Sequence, residues 1–277
     1  YVNDTTGRQI PAEDKKLKIK LKQDDIIQQV TINPNGNSFA YSVDRLNKKL
    51  IYIQDFETGK KKKIFKMGYK IDDDRDLSFP LLTWHPNGKL LAFLVEQNGI
   101  KNLYFYLLED DKLEQQYVYG VEKIYDMSYS PNGMSFLVSA TINGQSDIFI
   151  YHLASKTFEQ ITKDVFDDLN PRFIQNGKYI AFASNRTSDS IIFSKDTHIR
   201  DYSEKIEKSE NYNIFLYDYQ NKSNILRKIT DYDIGNASEP MPYDDNKLLF
   251  LSNENGIKNR YIATIDSAIS HVDTTIH

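Results

Sequence analysis

The sequence predicts an all-β fold, a β-propeller of four-stranded antiparallel blades, and three observations carry that prediction. First, a tight polar turn recurs between apolar strands as Ile32-Asn33-Pro34-Asn35-Gly36, Trp84-His85-Pro86-Asn87-Gly88, Tyr129-Ser130-Pro131-Asn132-Gly133, Phe173-Ile174-Gln175-Asn176-Gly177 and, one residue shorter, Tyr243-Asp244-Asp245-Asn246. Second, the closing residues of these turns lie 52, 45, 44 and 69 residues apart, near the length of one propeller blade. Third, each turn leads into a strand whose apolar residues alternate with period two.

Taken in chain order, the first element is a partial blade over 1–23. Tyr1-Val2-Asn3-Asp4 followed by Thr6-Gly7-Arg8 matches Tyr52-Ile53-Gln54-Asp55 followed by Thr58-Gly59-Lys60. Leu17–Leu21 then reads as an outer strand, leucines and isoleucine inward and lysines outward. The full repeats follow over 24–69, 70–120, 121–164, 165–232 and 233–277, forming one propeller domain. Within each, the second strand carries Phe39, Leu91, Phe136, Ile180 or Leu249, then Tyr41, Phe93, Val138, Phe182 or Leu251 two residues on. The positions between (Ala40, Ala92, Leu137, Ala181, Phe250) are also apolar, so both faces of the strand are expected to be covered. A third strand follows in Ile51-Tyr52-Ile53, Leu103-Tyr104-Phe105, Ile148-Phe149-Ile150, Ile214-Phe215-Leu216 and Arg260-Tyr261-Ile262. The fourth is shorter and more polar, as suits an edge facing water. Five repeats plus the partial blade predict six blades, with an incomplete ring in this fragment, or closure by five with Leu17–Leu21 completing the last sheet, as open alternatives.

Composition narrows the chemistry. The chain has 277 residues, a formal net charge of −4 and no cysteine. Thiol catalysis, disulfides and cysteine-bound zinc are thereby excluded, and no global positive field draws the chain to nucleic acid or anionic lipid. No stretch approaches the roughly 20 apolar residues that span a bilayer. The chain opens on Tyr1 without an initiator Met, which reads as a piece of a longer precursor. The histidines, His85, His152, His198, His271 and His277, show no metal-ligand spacing, and no Gly-x-Ser-x-Gly elbow is present. No catalytic residue, metal or cofactor is expected. Asp72-Asp73-Asp74-Arg75-Asp76 lacks the spaced ligands of a calcium loop, and Lys60-Lys61-Lys62-Lys63 reads as a solvated outer strand.

The Ser-Pro-Asn-Gly turn, strands ending Ala183-Ser184-Asn185-Arg186 and Leu251-Ser252-Asn253-Glu254, and outer strands ending Ile161-Thr162 and Ile229-Thr230 resemble TolB-type propeller repeats. Similar repeats occur in tricorn-like and prolyl-oligopeptidase-like proteins. The resemblance covers roughly residues 15 to 266. It implies a non-catalytic, exported protein of the bacterial cell envelope or periplasm that binds other envelope proteins, with no direct membrane insertion. The alternative it leaves open is the substrate-gating propeller of a larger peptidase. A histidine- and metal-dependent polysaccharide lyase is a more distant option.

Strand directions alternate, so the Pro-Asn-Gly turns lie at one end of each blade and the longer loops at the other. The loop-rich end is expected to gather Asp44, Arg45, Arg75, Asp76, Glu96, Gln97, Arg186 and Glu239. An insertion over 188–210 adds Ile191-Ile192-Phe193 and a predicted short helix placing Tyr202 and Ile206 on one side. Loops of this kind commonly carry function. Protein or peptide partners are therefore expected at this end.

Overall fold

The computed structural model describes residues 17–69, 77–187, 208–223 and 225–265. The chain divides into two compact units, Tyr1–Lys163 and Asp164–His277. The first holds three antiparallel sheets of four strands each. These are β1 (Asp25–Ile32), β2 (Ser38–Arg45), β3 (Lys48–Asp55) and β4 (Lys61–Met67); β5 (Leu81–Trp84), β6 (Leu90–Gln97), β7 (Ile100–Leu107) and β8 (Lys112–Val118); and β9 (Lys123–Tyr129), β10 (Ser135–Ile142), β11 (Gln145–His152) and β12 (Thr157–Gln160). The second unit holds β13 (Asp168–Ile174), β14 (Tyr179–Ser184), β15 (Asn213–Asp218) and β16 (Leu226–Lys228), then a three-stranded sheet of β17 (Ala237–Asp244), β18 (Lys247–Ser252) and β19 (Asn259–Thr264).

These are five propeller blades, which corrects the expectation of six. Of the predicted partial first blade, residues 1–16 lie outside the described residues, and the rest departs from the expectation. Residues 17–22 form no strand. Instead Ile19 packs on the face of the first sheet that carries Phe39, Tyr41, Val43 and Leu50. The carbonyl of Lys18 accepts from Gln54 Nε2 at 3.0 Å, and that of Lys20 from Lys61 Nζ at 3.3 Å. Side chains of β3 and β4 thus satisfy backbone groups that a strand would have paired with a neighbour. Alternating leucines and lysines are as well served by lying across a sheet as by extending one.

Within each unit the sheets stack face to face. Ala40 and Ile51 of the first sheet meet Leu82, Trp84, Leu91 and Phe93 of the second. Leu94 and Leu103 of the second meet Met127, Phe136, Val138 and Phe149 of the third. In the other unit, Ile174, Ala181, Ile214 and Leu216 meet Ala237, Leu248 and Phe250. Burial at roughly 25 cal/mol per Å² makes these seams the main stabilising term.

The inner strands add polar stitching. Gln29 Nε2 donates to the Leu82 carbonyl at 3.3 Å while its Oε1 accepts the Leu82 N–H, and Trp84 Nε1 donates to the Thr31 carbonyl at 3.2 Å. At the turn end, successive Pro-Asn-Gly turns nest. A Cβ on Gly88 would lie 2.4 Å from Asn35 Nδ2, and one on Gly133 would lie 2.1 Å from His85 Nε2. Gly133 also has φ +72°, so glycine is required there twice over. The histidine before the second turn therefore packs as a structural plug, edge-on to Tyr129 with ring centroids 5.0 Å apart.

The Ile-Thr endings are clamps. Thr162 Oγ1 accepts the Ile148 N–H at 2.9 Å and donates to Asp147 Oδ1 at 3.3 Å. Thr230 Oγ1 repeats this with the Ile214 N–H at 2.9 Å and Asn213 Oδ1 at 2.9 Å. Each pins the outer strand to the start of the strand beside it, satisfying a buried N–H.

Candidate binding face

Strand register defines the loop-rich end of the first unit. Asp25 pairs with Arg45, Lys49 with Met67, Gln97 with Ile100, Lys101 with Val118, and Thr141 with Lys123. The inner strands bond side by side in one direction, so the same end of all three sheets presents the turns 46–47, 98–99 and 143–144 and the connections after Met67 and Val118. Of the residues expected there, Asp44, Arg45, Glu96 and Gln97 are brought to this end. Arg75, Asp76 and Tyr202 lie outside the described residues. Arg186 and Glu239 belong to the second unit.

The charges at this end are already engaged. Asp44 is fully buried and its Oδ2 sits 2.9 Å from Lys49 Nζ. Arg45 forks onto Asp25, with Nη2 donating to Oδ2 at 2.9 Å. That hydrogen bond holds the Asp25 carboxyl below its ordinary 3.8, against the upward pull of burial. Glu96 lies 3.7 Å from Lys101. Glu122 accepts from the N–H groups of Asn143 and Gly144 at 2.9 and 3.3 Å, fixing the third sheet's turn. The charges act as braces that hold the loop ends in place.

Between those braces stand exposed apolar side chains that residue pattern did not single out. Tyr69 is 82 % exposed and Tyr119 72 % exposed, with Tyr117 ring-to-ring 6.2 Å from Tyr119. Leu77, Ile100 and Tyr125 are also exposed, and Tyr125 is fixed by the Thr141 hydroxyl at 3.0 Å and by Lys123 5.6 Å from its ring centre. Rigid aromatic rings held by a braced frame provide contact area at low conformational cost.

In the second unit Arg186 has no surface to offer. Its side chain is 0 % exposed, with Nη2 donating to both oxygens of Asp168 at 2.8 Å, Nη1 to Asp164 at 3.0 Å and Nε to Ser184 Oγ at 2.8 Å. The guanidinium centre lies 5.1 Å from the ring centre of Phe166 and 5.7 Å from those of Phe182 and Phe215. One arginine serves two carboxylates, so burial and the Asp168 charge push the Asp164 carboxyl up to about 6, with Arg186 opposing them. Glu239 sits at a bulge in β17 with φ +52°, exposed, and pairs with Lys258 at 3.0 Å. Asn185 Oδ1 accepts the Asp167 N–H at 2.8 Å and Asn253 Oδ1 the Asn236 N–H at 2.7 Å, so the Ser-Asn pairs also tie strand ends to loops.

Among the described residues one serine–histidine–carboxylate chain occurs, at the turn end of the third sheet. Ser135 Oγ lies 3.2 Å from His152 Nδ1, and His152 Nε2 lies 3.1 Å from Glu159 Oε2. Ser135 and His152 are directly paired across β10 and β11, which accounts for the contact. Ser135 is buried against the Ser130 turn, whose hydroxyl accepts its N–H at 3.0 Å. A nucleophile needs to be open to substrate, and this one is not.

No protein-family model matches the chain, and no curated protein matches it in sequence. Solved structures do. TolB from Acinetobacter baumannii superposes with a TM-score of 0.55 at 18 % identity, over 87 % of this chain and 54 % of that one, so the chain spans about half its length. The protein described as TolB from Agrobacterium tumefaciens gives 0.61 at 17 % identity, over 86 % of this chain and 74 % of that one. The β-propeller domain of the trilobed protease from Pyrococcus furiosus gives 0.53 at 12 % identity, over 88 % and 82 %. An oligogalacturonate lyase solved with manganese gives 0.57 at 12 % identity, over 89 % and 67 %. Proteins of such different activity share the architecture, and at these identities the likeness is one of fold. The fold is that of the TolB-type and tricorn-like β-propellers.

Proposed function

We propose that this chain is a non-enzymatic propeller that docks protein or peptide partners of the bacterial cell envelope through the loop-rich end of its first unit. The observation that carries the reading is the group of exposed side chains there, Tyr69, Tyr119, Tyr117 and Ile100, set among charges that are already paired. Aromatic anchors of this kind supply most of the affinity at protein interfaces, while paired charges at the rim set orientation. The export and envelope location rest on the TolB-type repeats and the likeness to two TolB structures. Among the described residues no helix is long and apolar enough to cross a membrane.

A second reading is favoured by one observation, the likeness to the propeller domain of a protease. There the same face would admit substrate to a peptidase domain. The two separate on one experiment: capture from envelope extract, identification of the bound protein, and titration of that purified protein against Tyr69→Ser/Tyr119→Ser and Met134→Ser variants. Docking through the loop-rich end predicts about thirtyfold weaker binding for the tyrosine pair, from about 2 kcal/mol lost at anchor positions. Met134, exposed on a turn at the other end, predicts no change. Equal binding by all three proteins, or recovery of no specific partner, refutes docking through this end.

A further inference from the structure

We infer that the Lys60–Lys62 run, at the opposite end of the first unit from the tyrosines, forms part of a binding cleft for a small carboxylate-bearing ligand with an aliphatic stem. A cleft of about 360 Å³ opens there between the first and second sheets. Its apolar surface comes from Ile53 of β3 and Leu108 after β7, and its polar wall from Asn33 and Ser38. Lys60, Lys61 and Lys62 line it beside one carboxylate, Asp55.

That carboxylate is engaged locally. Asp55 Oδ1 accepts from the N–H groups of Glu57 and Thr58 and from the Thr58 hydroxyl, at 3.1, 2.7 and 2.8 Å, and these bonds hold its carboxyl below the ordinary value. It closes its own turn, and the Lys60 charge adds a smaller downward pull on its carboxyl. Lys61 is directed away, 5.1 Å from the ring centre of Tyr52 and bonded to the Lys20 carbonyl. Lys62 reaches across from the first sheet to Asp111 of the second, 2.7 Å away. Its ammonium therefore spans the cleft at its outer end, 5.8 Å from the ring centre of Tyr106. The ammonium of Lys60 makes no hydrogen bond or ion pair among the described residues.

The pairing of chemistries selects the ligand. An inorganic anion would gain nothing from Ile53 and Leu108, and a purely apolar molecule would gain nothing from Lys60 and Lys62. Lysines offer point charges where arginines would offer a planar fork, which suits a single carboxylate approached from two sides. The cleft is at the small end of the range for ligand sites, enough for one or two residues of a peptide C-terminus or for a free aliphatic acid.

The test is a nuclear magnetic resonance titration of the whole chain with N-acetyl-leucine, N-acetyl-leucinamide and the tripeptide acetyl-Ala-Ala-Leu bearing a free C-terminus. The inference predicts saturable shifts at Ile53, Ser38 and Leu108 with the acid, and about tenfold weaker binding of the amide, since the charge-assisted contacts are lost. Lys60→Gln/Lys62→Gln, both at the surface, should weaken the acid by a similar factor while leaving the unfolding transition in place. Tighter binding of the tripeptide assigns a peptide terminus as the ligand, and equal binding assigns a free acid. No saturable shift, equal binding of the amide, or an unchanged affinity in the double variant overturns the site. Failure here leaves docking at the tyrosine-bearing end untouched, since the two sites share no residue.

Discussion

Arg45 and Arg186 each stand nine residues beyond the glycine of their turn, at the end of the second strand of a blade, and they have different fates. Arg45 is 24 % exposed and makes one forked bond to Asp25 at the rim of the first unit. Arg186 is enclosed by Phe166, Phe182 and Phe215 and bonded to two aspartates and a serine. The same place in the repeat thus serves a surface brace in one blade and a buried keystone in another. The neighbours decide the role: three aromatic rings, on β14, β15 and the loop before β13, close over Arg186, whereas Arg45 has Tyr52 beside it and stays partly exposed.

The largest effect separating the two should come from deletion. Arg186→Ala leaves Asp168 buried without its cation, and breaking a buried pair costs about 3–5 kcal/mol. Arg45→Ala also strips a nearly buried carboxylate of its partner, but at a rim that the arginine itself leaves partly open to water, and should cost less, about 1–2 kcal/mol. Chemical denaturation of both variants measures the difference, and equal losses would mean that enclosure is not what distinguishes them.

Next in size is the turn end, where glycines can be compared in the same way. Gly133→Ala must displace His85 and adopt φ +72°, a combined cost of about 2–4 kcal/mol. Gly144→Ala, at φ +78° with open space around it, should cost about 1–2 kcal/mol from backbone strain alone. Thermal unfolding distinguishes them, and a Gly133→Ala protein no less stable than Gly144→Ala would contradict the nesting of turns.

Smaller again are the threonine clamps. Thr230→Val keeps the volume and removes the acceptor for the Ile214 N–H, and Thr162→Val does the same for Ile148, each at about 1–3 kcal/mol for a buried group left unpaired. Similar losses in the two units would show that the clamp belongs to the repeat.

The pH dependence sharpens the comparison through sign. Asp164, pushed up to about 6 from an ordinary 3.8, binds its proton more readily in the folded chain. Its contribution to stability therefore rises as pH falls from about 6 toward 3.8, and its cost is complete above 6. Asp25, held below 3.8 chiefly by the hydrogen bond from Arg45, behaves oppositely: its stabilisation is present above 3.8 and is lost as pH falls through the depressed value. Asp164→Asn should remove the first dependence, and Arg45→Ala the second, in denaturation series between pH 3 and 7.

Much of the architecture was readable before the structure, because the propeller repeat writes itself in turns and alternation. Pro-Asn-Gly marks the turns, of whose glycines Gly88 and Gly133 accept a side chain of the preceding turn, and Ile161-Thr162 and Ile229-Thr230 mark clamps. The blade count was not readable at its edge. Leu17–Leu21 has the alternation of a strand, and only packing of Ile19 on the first sheet and capture of two carbonyls by Gln54 and Lys61 show otherwise. The candidate face was half readable. Loop position brought out Asp44, Arg45, Glu96 and Gln97, yet the carboxylate partners of Arg45 and Arg186 lie 18 to 22 residues away along the chain. Tyr69 and Tyr119 left no mark, since two tyrosines among 19 say nothing until their exposure is known.

Hydrogen exchange on the complex with the partner recovered from envelope extract tests the functional account most directly. Docking through the braced, tyrosine-bearing end predicts new protection in residues 68–69, 98–101 and 119–122, with none at the 130–134 turn and none around Arg186. Protection confined to the 130–134 turn, or none in the first unit, would contradict it.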